Sequence, residues 1–261
     1  FSPLSPFLSL LLSPPSPPFL FFLSLFPFSS SLPDINMKKT IFLFIGFLFF
    51  SSFLTGQEVQ VIAHRGFWKP EGSAQNSVAA LEQANRIHLY GSEFDVHMTA
   101  DDILVVFHDD KIKEVEIQKV PYTVIKDSLL SNGERIPTLR EFLEAAKRTD
   151  IQLIFELKPH ATPERNREAA RASVELVNEK NLAHRTEYIT FNLDAGKELI
   201  KLAPEAKVYY LNGELSPQEL KDLGFAGLDY HYNVLKKQKE WFTDAKKLGL
   251  GINVWTVNDT T

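Results

Sequence analysis

Short apolar runs alternate with longer amphipathic stretches along most of the chain, beginning at Val59. The short runs are rich in β-branched and aromatic residues and predict strands, whereas apolar residues at helical spacing predict helices between them. The predicted strands are Val59–Ala63, Ser92–Met98, Leu104–Phe107, Gln152–Leu157, Tyr188–Phe191, Lys207–Leu211, Gly227–Tyr230 and Gly251–Val257. The predicted helices are Ser77–Ile87, Leu139–Arg148, Pro163–Lys180, Ala195–Leu202, Pro217–Leu223 and Leu235–Leu248. This alternation is typical of βα units around a parallel sheet.

Two local features refine this prediction. The run Leu104–Phe107 follows its predecessor so closely that we expect the two to pair with each other, which leaves seven strands for the parallel sheet. The helix beginning at Leu139 has the clearest start, because Thr138 suits the N-cap position and Glu141 stands three residues later. Together these two residues predict a capping box.

The position of the polar residues separates two parallel-sheet topologies, since an open doubly wound sheet would show the same alternation. Polar side chains gather where the predicted strands end, and barrel enzymes carry their chemistry at that face. These residues are His64 and Arg65 after the first strand, Glu93 and Asp95 on the second, and Glu156 and Lys158 on the Gln152–Leu157 strand. The pattern therefore predicts a TIM-type (β/α)8 barrel.

The predicted barrel is short. The stretch from Gln57 to Thr261 falls below the about 250 residues typical of this fold, and it stops just beyond the seventh strand. We therefore expect a barrel that is C-terminally truncated after that strand. Such a barrel would leave one side of Val59–Ala63 open, and an unpaired strand edge is a liability for folding and activity.

The chain before the barrel has two parts of different composition. Residues 1–36 mix Pro, Ser, Phe and Leu without helical or strand period, so we interpret them as a low-complexity segment outside any domain. Residues 37–56 begin with a methionine and two lysines, continue as an apolar run and end in small and polar residues. That order predicts a signal peptide.

A transmembrane anchor is the alternative to a signal peptide, but the apolar run over 41–50 is short of the roughly 20 residues that span a bilayer. We therefore expect Met37 to be the true start and the exported chain to begin near Gln57. The product would be periplasmic or secreted, with no stable membrane anchor after cleavage.

Composition excludes some partners and some metal sites. The chain has no cysteine, so disulfides and thiolate metal ligands are absent, and any metal must be held by oxygen or imidazole. The formal net charge is −5, which makes a nucleic acid an unsuitable partner.

Two motifs place charged side chains at strand ends. His64-Arg65-Gly66 presents an imidazole and a guanidinium together, and Gly66 permits a sharp turn, although a surface turn is the commoner origin of such a tripeptide. In the second strand, a period of two puts Glu93 and Asp95 on the same face. Buried carboxylates are costly unless a cation neutralises them, so the choice lies between a cation site and a solvated edge strand.

Further charged residues extend the same pattern. Glu156 and Lys158 share a face of an otherwise apolar strand, where a structural ion pair is the alternative to a functional role. Three carboxylates at one mouth would form an oxygen-only site, which suits Mg²⁺ or Ca²⁺. His108, followed by Asp109, closes another apolar run and brings a second imidazole. Two histidines beside a carboxylate cluster can divide acid and base duties near neutral pH.

The ordered combination of these motifs resembles the glycerophosphodiester phosphodiesterase family, of the bacterial exported type. The family pattern is His-Arg-Gly, then Glu-x-Asp, His-Asp and Glu-x-Lys, and the resemblance extends over residues 135–139 and 253–258. It implies a metal-dependent enzyme that hydrolyses small-molecule glycerophosphodiesters to glycerol 3-phosphate and an alcohol. By position, it implies Glu93, Asp95 and Glu156 as metal ligands, His64 and His108 as catalytic acid–base residues, and Arg65 and Lys158 as ligands of the substrate phosphate.

The resemblance also implies a mechanism, in which a glycerol hydroxyl attacks its own phosphorus and the cyclic phosphate is then opened by water. One histidine takes the proton and the other protonates the leaving alcohol, and either could begin as the base. The chain departs from the family at Gln75, where a glutamate is common. A hydrogen-bonding role there, such as orienting Arg65, survives the change.

Two other functions fit parts of the pattern. A phosphatidylinositol-specific or sphingomyelinase D-like phospholipase would use a similar barrel. A non-catalytic barrel that binds phosphate esters would keep the cationic residues, but binding alone needs no pair of histidines.

Overall fold

Seven parallel strands follow one another around a closed sheet in the computed structural model, which describes residues 8–12 and 59–257. Four further strands are antiparallel: one from residues 8–12 and three short ones between the second and third parallel strands. In chain order, the strands are β1 (Leu8–Leu12), β2 (Gln60–Ala63), β3 (Gly91–Met98), β4 (Leu104–Val106), β5 (Lys111–Ile112), β6 (Val115–Glu116), β7 (Gln152–Leu157), β8 (Thr186–Thr190), β9 (Val208–Tyr210), β10 (Gly227–His231) and β11 (Gly251–Val257). The antiparallel strands are β1, β4, β5 and β6. The parallel pairs run β2–β3–β7–β8–β9–β10–β11. This order confirms the predicted (β/α) barrel topology.

Helices connect the parallel strands. They are α1 (Val78–Arg86), α2 (Leu139–Ala146), α3 (Pro163–Glu179), α4 (Leu193–Leu202), α5 (Pro217–Asp222), α6 (Tyr232–Lys237) and α7 (Lys239–Lys247). The predicted capping box of α2 is confirmed, since the Thr138 hydroxyl accepts from the Glu141 amide and the Glu141 carboxylate accepts from the Thr138 amide. No helix within residues 59–257 is long and apolar enough to cross a membrane.

The two faces of the sheet bury different side chains, as the period of two predicts. On β3, Phe94 and Val96 point outward into the main core beneath the helices. The interior of the barrel is filled by a smaller cluster made of Ile62, Ile154, Ile189, Tyr209 and Leu211. Polar residues that alternate with the outward set on β3 therefore face the barrel interior.

Strand β1 corrects one expectation. Residues 1–36 were expected to lie outside the fold, but Leu8–Leu12 pairs antiparallel with β11 on one side and with β2 on the other. The side of β2 that was expected to be open is therefore paired in the structure. Main-chain hydrogen bonding explains how a segment without strand periodicity can fill this place, because an unpaired edge accepts any extended backbone.

Two other elements differ from the prediction. The helix predicted over Leu235–Leu248 is two helices, α6 and α7, which meet at Gln238, where the backbone leaves the helical region. Lys236 and Lys239 are three residues apart across this junction, and a like-charge pair at that spacing weakens a continuous helix. The segment between β4 and α2, for which no element was predicted, contains the hairpin β5–β6 and two 3₁₀ turns. As predicted, β4 pairs antiparallel with β3.

Candidate active site

The turn after β2 brings His64 and Arg65 to the end of the barrel. Both Arg65 and Gly66 have positive φ, and a side chain at Gly66 would collide with the backbone of Ala80 in α1, so glycine is required there. The Arg65 amide donates to Glu93 Oε2 at 2.6 Å, which ties the turn to β3. The turn is therefore fixed by its contacts with α1 and β3.

The Arg65 guanidinium is held by two side chains. Its Nη1 donates to Gln75 Oε1 at 2.7 Å and its Nη2 lies 2.8 Å from His108 Nε2. The hydrogen-bonding role predicted for Gln75 is confirmed by the first contact. Because a guanidinium nitrogen can only donate, the His108 ring accepts through Nε2 in this arrangement.

Three buried carboxylates converge beside this turn. One oxygen from each of Glu93, Asp95 and Glu156 lies within 4.8 Å of the others. Asn76, with φ of 61°, holds Asp95 twice: its Nδ2 donates to Asp95 Oδ2 at 2.9 Å and its Oδ1 accepts from the Asp95 amide at 3.0 Å. The predicted cluster exists, and β3 is a buried interior strand rather than a solvated edge.

The electrostatics of this cluster are unequal. Burial, followed by the charges of Asp95 and Glu156, raises the pKa of Glu93 well above its usual value. Burial and Asp95 raise the pKa of Glu156 to about 7, against the opposing effect of Lys158. Burial also disfavours ionisation of Asp95, but Lys158 outweighs it together with other cationic groups and lowers the pKa of Asp95. Three adjacent buried carboxylates thus cannot all ionise without further positive charge.

Lys158 supplies part of that charge. Its ammonium lies 2.8 Å from Glu156 Oε1 and 3.3 Å from Asp95 Oδ1. These two carboxylates raise the pKa of Lys158 against the effect of its burial, so the ammonium stays charged. One cation shared between carboxylates leaves Glu93 Oε1 buried without a hydrogen-bond partner among the described residues.

The two predicted histidines both border this cluster. His64 Nε2 lies 3.9 Å from Glu93 Oε2, and burial followed by the charge of Arg65 lowers the pKa of His64 to about 4. His108 Nδ1 lies 2.6 Å from Asp109 Oδ1. His64 is therefore a neutral imidazole at pH 7. In His108, the Nδ1 side faces the Asp109 carboxylate and the Nε2 side faces the Arg65 guanidinium.

His97 supports the segment that carries His108, a role that was not predicted from the sequence. Its Nε2 lies 3.3 Å from the His108 carbonyl oxygen, and its Nδ1 lies 3.0 Å from Gln118 Nε2. Gln118 also donates to the carbonyl of Pro159, one residue beyond Lys158. This side-chain bridge links β3, the segment between β4 and α2, and the loop after β7. The position of His97 on the same face of β3 as Glu93 and Asp95 was the one sign of it in the sequence.

The predicted residues line one cavity of about 180 Å³ at the C-terminal end of the barrel strands. Larger depressions, of about 500 and 420 Å³, lie elsewhere on the described surface, so charge rather than size distinguishes this one. Its lining comprises His64, Arg65, Glu93, His108, Glu156, Lys158, Ile189, Phe191, Leu211, Asp229 and Trp255. Six of the seven predicted site residues are in this set, and Asp95 lies directly behind them. The sequence prediction missed Asp229, Phe191 and Trp255 as parts of the site.

A parallel-stranded barrel whose strand ends carry converging carboxylates, imidazoles and cations defines a (β/α)-barrel enzyme. Residues 64–261 match the model of the glycerophosphoryl diester phosphodiesterase family, and the chain belongs to that family. It is accordingly a phosphoric diester hydrolase.

Known proteins agree with this family membership. A glycerophosphodiester phosphodiesterase structure from Parabacteroides distasonis has 60% identity and a TM-score of 0.75, with 76% of this chain and 84% of that chain covered. An Oleispira antarctica phosphodiesterase, solved with the product sn-glycerol-3-phosphate, has 30% identity and a TM-score of 0.63, with the same coverage. A glycerophosphodiester phosphodiesterase from Caldanaerobacter subterraneus is 28% identical over 215 residues, which cover 76% of this chain and 85% of that protein.

Proposed function

We propose that this chain hydrolyses glycerophosphodiesters to glycerol 3-phosphate and an alcohol, with the help of a divalent cation and two histidines. The observation that carries this proposal is the convergence of three buried carboxylates, two imidazoles and two cationic side chains on one cavity. The product bound to the Oleispira antarctica relative supports the same substrate class.

The residues present fit a hard divalent cation. Glu93, Asp95 and Glu156 offer only oxygen ligands, and Glu93 Oε1 is buried without a partner among the described residues. Oxygen ligands suit Mg²⁺ or Ca²⁺. When bound, such a cation would polarise the phosphate oxygens and offset the mutual repulsion of the three carboxylates.

Arg65 and Lys158 are the groups proposed to hold the substrate phosphate. Gln75 keeps the Arg65 fork in place beside the cavity, and planar guanidinium groups bind phosphate oxygens through paired hydrogen bonds. The Lys158 ammonium borders the same cavity and carries a positive charge. Both cations would stabilise the negative charge that grows on the phosphate during displacement.

His64 and His108 are proposed to move the protons. In the first step a glycerol hydroxyl loses its proton to one imidazole and attacks phosphorus, while the other imidazole protonates the departing alcohol oxygen. In the second step water opens the cyclic phosphate and the roles reverse. Both rings line the cavity, and the Asp109 contact fixes the orientation of the His108 ring.

A turnover assay tests this proposal. Glycerophosphocholine with Mg²⁺ or Ca²⁺ should yield glycerol 3-phosphate and choline in equal amounts, whereas intact phosphatidylcholine and phosphatidylinositol should not react. Release of products from intact lipid alone would instead identify a phospholipase. Calorimetric binding of a non-hydrolysable diester without any turnover of glycerophosphocholine would identify a binding protein.

The chain is also proposed to be exported. The support is the cationic start, apolar run and small-residue tail of residues 37–56, which lie outside the described residues. N-terminal sequencing of the exported product should give Gln57 or a close neighbour, and retention of residues before Met37 would contradict the proposal.

A further inference from the structure

The cavity at the barrel mouth has two unlike halves. The side formed by β2, β3 and β7 carries the histidines, cations and carboxylates described above. The opposite side, formed by β8 to β11 and the residues that directly follow them, presents Ile189, Phe191, Leu211 and Trp255, with Asp229 as its one acidic residue among the described lining. A phosphate suits the first half, so the organic part of the ligand would lie in the second half.

Asp229 reaches the cavity because its strand neighbours face the other way. Leu228 and Tyr230 point outward into the main core, so Asp229 points into the barrel. Asn253 is its register partner on β11 and donates from Nδ2 to Asp229 Oδ2 at 2.8 Å. Asn253 Oδ1 accepts from the Val254 amide, which fixes the orientation of the Asn253 amide group.

The second oxygen of Asp229 is left without a partner. Asp229 is buried, and its Oδ1 has no hydrogen bond among the described residues. The Trp255 indole, the other polar group in this half, already donates to the Asp229 carbonyl oxygen at 2.9 Å. Oδ1 is therefore the side-chain atom in this half that can hydrogen-bond to a ligand.

A structural carboxylate in the same barrel looks different. Glu187 is also buried, but its Oε1 accepts from both Tyr90 and Lys207 at 2.9 Å. The barrel can thus satisfy an interior carboxylate where its role is structural, and leaving a buried oxygen without a hydrogen bond destabilises the fold. Burial raises the pKa of Asp229 to about 8, so its neutral carboxyl group can both donate and accept, as a hydroxyl does.

We propose that Asp229 binds a hydroxyl of the glycerol moiety, so that the site selects polyol phosphates over plain alkyl phosphates. This inference rests on the proposed function for the identity of the ligand. Asn253 acts as a positioning residue, because it holds Oδ2 and leaves Oδ1 directed to the ligand.

Calorimetric titration in the presence of Mg²⁺ tests the proposal, with sn-glycerol 3-phosphate and propyl phosphate as probes. The wild-type chain should bind glycerol 3-phosphate about tenfold or more tightly than propyl phosphate, because a hydrogen bond in a buried site contributes on the order of a decade in affinity. In Asp229→Leu and Asp229→Ala this ratio should fall about tenfold. The two singly hydroxylated propyl phosphates then show which hydroxyl is bound.

Glu187→Gln is the matched control, because it changes a buried interior carboxylate that does not line this cavity, and it should keep the wild-type ratio. Alanine is smaller than aspartate, so Asp229→Ala should fold even if the larger leucine side chain of Asp229→Leu does not fit. A wild-type ratio near one, or an unchanged ratio in a folded Asp229 variant, would overturn the proposal.

Turnover of glycerophosphocholine, measured on the same preparations, separates this inference from the function on which it rests. Turnover without a hydroxyl preference would reject only the role of Asp229. A hydroxyl preference without turnover would support that role and reject the proposed function.

Discussion

Divalent cations should stabilise this chain, because the one lysine in its carboxylate cluster does not neutralise three carboxylates. Glu93, Asp95 and Glu156 lie within 4.8 Å of one another, and Lys158 contacts only the last two. Folding without a cation therefore either protonates a buried carboxyl group or leaves like charges in contact. A cation that binds the folded chain and not the unfolded one removes this cost.

The size of the effect follows from binding linkage. A cation at about 100 times its dissociation constant adds about 2.7 kcal/mol to the free energy of unfolding. For a domain of about 200 residues, 1 kcal/mol corresponds to roughly 2–4 °C in Tm. Thermal unfolding followed by circular dichroism should therefore show a rise of about 5–11 °C when saturating Mg²⁺ or Ca²⁺ replaces a chelator.

Glu93→Gln provides the sharper comparison. The pKa of Glu93 is raised by burial and by neighbouring carboxylates, so an amide should increase Tm in chelator while removing most of the cation-dependent rise. Glu187→Gln is the matched control, since Glu187 already has Tyr90 and Lys207 as partners, and it should keep the full rise. Equal Tm with and without either cation, or a full rise in Glu93→Gln, would refute the reasoning.

Three further predictions concern single side chains. His64→Ala and His108→Ala should each lower kcat for glycerophosphocholine by roughly 10²–10⁴ with unchanged Tm, the usual range for a lost proton-transfer group; near-normal rates in both would make them structural. Gln75→Ala removes one of the two side-chain contacts of the Arg65 guanidinium and should raise KM about three- to tenfold more than it lowers kcat, since one hydrogen bond to a charged group is lost. Burial raises the pKa of Asp229 to about 8, so the folded chain keeps a proton on this group that the unfolded chain releases above about pH 4. The contribution of Asp229 to the free energy of unfolding therefore falls as pH rises from about 4 to 8. Asp229→Asn should therefore raise Tm by about 2–8 °C at pH 7.5 and by little at pH 4.5, and an equal effect at both pH values would contradict this.

Sequence reasoning succeeded where the cause is local. The alternation around Glu93 and Asp95 places them on the inner face because a strand side chain must point to one face or the other. Thr138 and Glu141 form their capping box through contacts three residues apart. His64 stands at the end of a parallel strand, and parallel strand ends share one edge of a barrel. In each case the geometry is set by a few neighbouring residues.

The remainder depends on contacts between distant segments. Asn76 binds Asp95 only because the turn after β2 folds back on β3, and His97 reaches the His108 carbonyl through a hairpin of irregular length. Asp229 has no motif around it, and its place in the cavity follows from strand register at the far side of the ring. Leu8–Leu12 pairs through backbone groups, which every residue type offers. Sequence patterns carry little information about such contacts.

Unpaired buried polar atoms mark the same cavity independently of any motif. Seven buried side-chain atoms of the described residues lack a hydrogen bond of good geometry, and four of them belong to carboxyl or guanidinium groups. All four lie in residues that line this cavity: Arg65 Nε, Glu93 Oε1, Glu156 Oε1, whose contact is the ion pair with Lys158 at 2.8 Å, and Asp229 Oδ1. A buried polar atom without a hydrogen bond destabilises the folded state, so a folded chain retains such an atom where a ligand can complete the bond. The first three are accounted for by a cation and a phosphate, and the fourth stands opposite them, where the hydroxyls of a glycerol ester would lie.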